Sequence, residues 1–231
     1  MEKLLMKVKL VSHTIACDDF DFIADPTELV AFCARVSNPS NQTNMDTTDK
    51  LVAYLIKHKH WSPFEMANVC LEIETTRDIA RQILRHRSFT FQEFSQRYAD
   101  PVKELSFEMR EPRLQDTKNR QNSIEVDDEQ LFINWALQQQ DVIKAANTAY
   151  QWALDHGIAK EVARAVLPEG LTMSRMYVNG TIRSWIHFIE TRTHISTQKE
   201  HREVALACAK AIAVIFPLIN KFSQNEAANA K

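Results

Sequence analysis

The sequence predicts an α+β fold: a small sheet packed with several long helices in a single intertwined domain. Helical periodicity dominates the chain, and only short stretches alternate with period two. Those stretches are too few for the repeating strand and helix order of a parallel sheet, and no internal repeat is present. At 231 residues, 45% of them hydrophobic and 25% charged, the chain can bury a sizeable core as one domain. That domain is expected over 1–222, with the Asn- and Ala-containing 223–231 as a disordered tail.

Leu4 to Ile15, carrying Val8, Leu10, Val11 and Ile15, reads as a first strand. Pro26 opens a helix to Arg35 with Leu29, Val30, Phe32 and Cys33 on its apolar side. A polar loop from Asn38 to Asp46 follows. Thr48 is expected to cap a second helix running to His60, with Leu51, Val52, Leu55 and Ile56 at helical spacing. Asn68 to Glu74 alternates Val69, Leu71 and Ile73 against Cys70, Glu72 and Glu74, which predicts a half-buried strand. A helix over Arg77 to Arg87 comes next, then a short strand near Leu105 to Met109 inside a long polar excursion from Pro101 to Asp128. Leu131, Trp135, Val142, Ala145, Ala149 and Trp152 predict a long amphipathic helix from Asp128 to His156, stopped by Gly157. Shorter helical patterns cover Ala159 to Val166 and Thr181 to Thr191, separated by an extended stretch from Leu171 to Val178. A last helix is expected from Gln198 to Phe222, kinked or frayed by Pro217.

Composition removes several function classes. No apolar run reaches bilayer length and the first residues carry lysines, so neither an anchor nor a secretory signal is read, and the expected compartment is the cytoplasm. Cys17, Cys33, Cys70 and Cys208 lack any C-x-x-C pairing, which argues against disulfides and a zinc knuckle. Gly157, Gly170 and Gly180 are the only glycines, which excludes both a Rossmann fingerprint and a P-loop. A nucleotide bound here would be held by side chains.

The stretch from Arg77 to Tyr98 supplies them. It holds five arginines and one histidine against Asp78 and Glu93, in a chain of net charge -2. On a helix Arg77, Arg81 and Arg85 share a face, at a cost of roughly 0.2 to 0.5 kcal/mol per like-charge pair. A bound anion would offset that cost, and Ser95, Gln96 and Tyr98 add neutral donors suited to phosphate and heterocycle edges. A solvated basic face explains the charges equally well. No metal site is expected, because His58 and His60 lack a third ligand at defined spacing. Ser95 has neither a nucleophile elbow nor an evident base. Phe89, Phe91, Phe94 and Tyr98, interleaved with Arg87 and Arg97, suit a second reading, a single-stranded nucleic-acid or nucleotide-binding module. The acidic overall balance favours one small phosphate ester over a polyanion.

Arg85-His86-Arg87, seven residues, then Ser95 and Arg97 resembles the R-H-R-x7-S-x-R signature of the flavin-dependent thymidylate synthases, the thymidylate synthase complementing protein family. His60-Trp61-Ser62-Pro63-Phe64-Glu65 is similar to that family's H-x-[ST]-P-F-E segment, and Ala80-Arg81-Gln82 to its A-R-Q. Glu161 to Arg164 with Leu167-Pro168 is similar to its E-x-A-R-x-x-L-P.

The resemblance implies methylation of dUMP to dTMP, with methylenetetrahydrofolate giving the carbon, NADPH the electrons and tightly held FAD the hydride, without a protein nucleophile. It implies that Arg192 is the catalytic residue, lying against the uracil edge and favouring its ionised form. Gln82, Ile83, Leu84, Arg85 and Arg164 would contact dUMP from one subunit, and Glu93, Phe94, Ser95, Gln96 and Arg97 from another. His60, Ser62, Arg85, His86, Arg87, Glu93, Thr181, Ile182, Arg183 and His187 would lie along FAD. A homotetramer, assembling its sites between subunits, is part of the same implication; nucleic acid and membrane are not expected partners.

Overall fold

The computed structural model describes residues 7–223. Residues 4–6 of the expected first strand and 224–231 of the expected tail lie outside them. Lys7–His13 forms strand β1. Helix α1, Pro26–Ala34, begins where Asp25 accepts the backbone N–H groups of Thr27 at 2.7 Å and Glu28 at 2.9 Å, with Pro26 at the first helical position. Helix α2 spans Thr48–Lys57, but its cap position is Thr47, one residue earlier than expected. The Thr47 hydroxyl instead accepts from the buried Arg35 guanidinium at 2.9 Å, which ties the preceding loop to α1.

Strand β2, Asn68–Thr76, leads into helix α3, Arg77–Ile83. Strand β3, Thr90–Glu93, was not expected: four residues inside the arginine motif give too short an alternation to stand out. The excursion contains a four-residue helix, α4, at Pro101–Glu104, and a hairpin of β4, Arg113–Gln115, with β5, Ser123–Glu125. No strand forms over Leu105 to Met109; a single bridge from Phe107 to Thr172 is what remains of it. Helix α5, Glu129–Asp155, is capped by Asp128 and ends at Gly157, whose φ of 75° suits glycine. Helix α6, Lys160–Ala163, runs on into a 3-10 turn. Strand β6, Met173–Thr181, helix α7, Ile182–Arg192, and helix α8, Lys199–Ile212, complete the order. α8 stops ten residues before the expected Phe222. Phe216, before proline, adopts φ -145° and ψ 78°, and Pro217 opens a separate 3-10 turn.

The main sheet is antiparallel in the order β1-β2-β6-β3. β2 and β6 turn Val69, Leu71, Ile73, Met176 and Val178 to a core shared with Trp185, Phe188, Ile189, Val204, Cys208 and Phe216. The opposite face is polar: Glu72 pairs with Lys9 at 3.0 Å and accepts from the Tyr177 hydroxyl at 2.9 Å, and Arg175 pairs with Glu74 at 2.6 Å. The helices therefore cover one side, as an alternating antiparallel sheet permits. At Gly180 a β-carbon would stand 2.3 Å from the Phe89 ring, so glycine is what lets Phe89 lie against the sheet and within 4.5 Å of the Trp185 ring centroid.

α5 reverses the sequence expectation. Trp135, Val142 and Trp152 are 42%, 49% and 58% exposed, while the buried side is Gln139, Ala146, Tyr150 and Ala153. Its periodicity is real, but these larger residues stay exposed among the described residues, the Trp152 ring stacking on His156 just past the helix end with centroids 4.1 Å apart. Tyr150 and Ala153 instead form a small second core with Ala163, Val102, Leu154 and Leu167.

Candidate active site

Three helix ends meet at one place. Gln82 sits in the last turn of α3, His86 just beyond it, Arg192 at the end of α7, and Gln198 and His201 at the start of α8. α3 stops at Ile83 rather than continuing to Arg87, because Phe89 turns into the core and draws the chain off the helix axis. Arg85, His86 and Arg87 consequently project from a turn. Arg192 Nε donates to His86 Nε2 at 2.9 Å. The His86 ring packs edge-on against Phe188 with centroids 5.0 Å apart.

That bond requires a neutral imidazole. Burial pushes His86 from 6.5 down to about 4, helped by the charges of Arg192, His187 and Arg85. His201, fully buried, is pushed down to about 3 by burial first and by Arg192 and His86 after it. Burial and the Arg85 charge also lower Arg192 from its ordinary value.

Several arginines are neutralised by carboxylates. Arg77, Arg81, Arg97, Arg110, Arg113, Arg175 and Arg183 each have a carboxylate partner. Among the described residues no carboxylate pairs with Arg85, Arg87 or Arg192. Arg192 is half-buried while Arg85 and Arg87 are exposed, and a cluster of positive charge without a counter-ion is an anion site in electrostatic terms.

The other expected site residues are held nearby or apart as follows. Glu93 accepts from Ser174 at 2.8 Å and from Arg77 at 3.4 Å, fixing the end of β3 to the start of α3. Beyond it the Phe94 N–H donates to the Arg175 carbonyl at 2.8 Å, Ser95 Oγ accepts the Arg97 N–H at 3.4 Å, and Gln96 is buried with its Nε2 unpartnered. Arg97 meets Glu161 at 3.3 Å on the surface, and Arg164 Nε donates to the Glu161 carbonyl at 3.3 Å. No hydrogen bond or ion pair joins Phe94 through Arg97 to Gln82, Arg85, His86 or Arg192 among the described residues, so these sets stand as separate groups within one chain. Ile83 and Ile182 have their side chains in the core and can offer a ligand only main chain; Leu84 packs against that core.

A cleft of about 390 Å³ lies beside this cluster, lined by Trp61, Glu65, Ser88, Arg183, His187 and Glu190, among others. Glu65 pairs with Arg183. Thr181 caps α7 by accepting the Ser184 N–H at 3.2 Å, and Ser184 Oγ donates to the Ser88 carbonyl at 3.3 Å. Ser62 and His60 are exposed at the approach, where the His60 ring lies 6.1 Å from that of Tyr54.

Residues 10–218 match the family described as Thymidylate synthase complementing protein. The chain belongs to that family. Among relatives of the thymidylate synthase complementing protein family, a "Probable flavin-dependent thymidylate synthase" of Paramecium bursaria Chlorella virus 1 is 46% identical over 94% of this chain and 98% of its own length. A flavin-dependent thymidylate synthase of Synechocystis is 49% identical over 84% of this chain and 87% of its own. The crystal structure of a UMP/dUMP methylase PolB from Streptomyces cacaoi, bound with 5-Br UMP, superposes with a TM-score of 0.78 at 26% identity, covering 94% of this chain and 92% of that one. The α+β class read from the sequence holds.

Two residues of the cluster escaped sequence reasoning. Gln198 Oε1 accepts from Gln82 Nε2 at 2.8 Å, and His201 Nδ1 lies 3.1 Å from Gln82 Oε1. Their spacing of three puts them on one face of the first turn of α8, which was the available signal; without Gln82 opposite, it marked nothing.

Proposed function

We propose that this protein methylates dUMP to dTMP reductively, taking carbon from methylenetetrahydrofolate and electrons from NADPH through FAD. The observation that carries the reading is Arg192: a half-buried guanidinium without a carboxylate partner, aimed by the neutral His86 into the turn that bears Arg85 and Arg87. A fixed cation of this kind favours negative charge developing on a pyrimidine ring, and its cost of orientation is met on folding. Arg85, Gln82 and Arg164 would hold the nucleotide, and Glu93, Phe94, Ser95, Gln96 and Arg97 would reach it from a second subunit.

Arg183 and His187 line the cleft, and Arg87, Ser62, Thr181 and His60 are near neighbours in the chain of residues that line it; together they would fit a flavin dinucleotide in kind. Arg183 and Arg87 suit a pyrophosphate, Ser62 and Thr181 offer hydroxyls, and His187 and His60 offer ring edges. At about 390 Å³ the cleft is near the lower end of ligand sites, roughly 300 to 1,000 Å³, so one protomer supplies one wall. Bound FAD would supply the hydride. Arg183 is freed for the cofactor when Glu65, its half-exposed surface partner, is displaced, an exchange of small cost.

Self-association as a homotetramer belongs to the same reading, because α5 leaves Trp135, Val142 and Trp152 uncovered and the two nucleotide-contacting groups stand apart in one chain. Folate contacts would lie in the same assembled site. The domain is assigned to residues 1–222. Among the described residues no helix is long and apolar enough to cross a membrane, which fits the proposed cytoplasmic location.

The test is a visible spectrum of the purified protein followed by assay of dTMP from dUMP, methylenetetrahydrofolate and NADPH. A yellow protein that forms dTMP is expected. A colourless protein with salt-sensitive oligonucleotide affinity would replace this reading with a nucleic-acid module.

A further inference from the structure

The orientation of the Gln82 amide is dictated by a chain of groups that begins at a carboxylate. Glu200 accepts from Arg113 Nη2 at 2.6 Å, and the guanidiniums of Arg113 and Arg110 hold it below the ordinary glutamate value although burial opposes them. An ionised carboxylate can only accept. Gln198 must therefore present its NH2 to Glu200, at 2.9 Å, and its Oε1 to Gln82. Gln82 in turn must direct Nε2 toward Gln198, which leaves its Oε1 facing His201 Nδ1. That nitrogen must carry the proton of the neutral ring.

The consequence is visible at the far side of the ring. With Nδ1 protonated, His201 Nε2 is a bare acceptor, and it is buried without a partner. Such an atom is unfavourable to bury, and a leucine or isoleucine would pack the same space without it. The ring thus does something at Nδ1 that packing alone does not require.

A primary amide flips its donor and acceptor when it rotates by half a turn. Gln82 has spent one N–H and one oxygen lone pair on the clamp, leaving one of each. Uracil and cytosine differ by this exchange: N3–H and a carbonyl oxygen in the first, a bare N3 and an amino group in the second. An amide free to flip serves either edge, whereas a fixed one serves one.

We propose that His201 and Gln198 are positioning residues that lock the Gln82 amide in one orientation and so set the preference for uracil over cytosine nucleotides. This rests on the reading that dUMP binds beside Gln82 and Arg192. The lock continues outward, because Arg113, which orients Glu200, lies on the β4–β5 hairpin.

The experiment measures dUMP and dCMP binding to the flavin-loaded protein by titration calorimetry, with KM and kcat for dUMP. His201→Leu should weaken dUMP about tenfold, narrow the dUMP to dCMP ratio by at least about tenfold, and raise KM more than it lowers kcat, with flavin content unchanged. His201→Asn, which retains an N–H donor at the Nδ1 position, should recover the ratio to within about threefold. A folded His201→Leu protein with the original ratio overturns the proposal. Should His201→Leu not fold, Gln198→Leu opens the other arm of the clamp and must narrow the ratio; an unchanged ratio there is equally fatal. Independently, ¹⁵N spectra of the unsubstituted holoprotein at neutral pH should show His201 as the Nδ1–H tautomer, and the Nε2–H tautomer would refute the clamp. Arg85→Ala separates the two levels of the reading. If it binds dUMP as tightly as the parent, the nucleotide site itself is misplaced; if it weakens dUMP while His201→Leu leaves the ratio alone, only the clamp falls.

Discussion

The helix ends around Arg192 and the long helix α5 are both incomplete within one chain, but in opposite chemical senses. At the first, the half-buried guanidinium of Arg192 and the exposed ones of Arg85 and Arg87 have no carboxylate partner among the described residues. At the second, Trp135, Val142 and Trp152 of α5 face outward while its buried side holds Gln139, Tyr150 and two alanines. Unneutralised charge calls for an anionic ligand, and uncovered apolar surface calls for protein. The pair teaches that a sequence can bury its core and still leave two different kinds of partner written on its surface.

Substitutions at five positions, one of them read against pH, probe that contrast. Trp185 is fully buried and donates its indole N–H to the Val69 carbonyl at 3.0 Å, so Trp185→Ala should cost about 3 to 5 kcal/mol in denaturant unfolding. A loss below about 1 kcal/mol would mean that the core is not where it is described. Arg192→Ala should lower dTMP formation by about two to three orders of magnitude, with the melting temperature and flavin absorbance retained. Near-full activity would remove Arg192 from the chemistry. Gly180→Ala pushes a methyl group into the Phe89 ring and should cost roughly 1 to 3 kcal/mol in the same unfolding measurement.

The pH dependence has a definite sign. His86 and His201 titrate below 6.5 in the folded protein, near 4 and 3, so the unfolded chain binds protons first as pH falls. Stability is complete above about pH 6.5 and declines below it, with a slope of up to about 1.4 kcal/mol per pH unit for the fully buried His201. Comparing the parent with His201→Asn in urea between about pH 7 and pH 5 should show that slope shrink by one proton's worth; equal slopes would place the titration elsewhere. Trp152→Glu, finally, should alter the secondary-structure spectrum little yet lower the molecular mass seen by sedimentation. An unchanged mass would detach α5 from self-association.

Much of the fold was legible because local rules carried it. Asp25 and Pro26 at the start of α1, the alternation of Val69, Leu71 and Ile73, and Gly157 after α5 each act through their own neighbours. Strand β3 was not legible, since four residues become a strand only by pairing with β6. α3 was read too long because its helical pattern competes with the burial of Phe89, a contact made with β6 and α7. The orientation of α5 was misread for a related reason: periodicity locates an apolar face but does not say which neighbour covers it. Most of the site was legible only through its arginine motif, and His201 and Gln198 not at all.

Sequence by itself settled the class of fold, the family signature and the identity of the cations, because these depend on residue type and spacing along the chain. Only the tertiary structure decided that Arg192 leans on His86, that His201 and Gln198 grip Gln82, and which arginines go unpaired. Hydrogen bonds and burial are set by distance in space, and these partners lie more than a hundred residues apart in the chain.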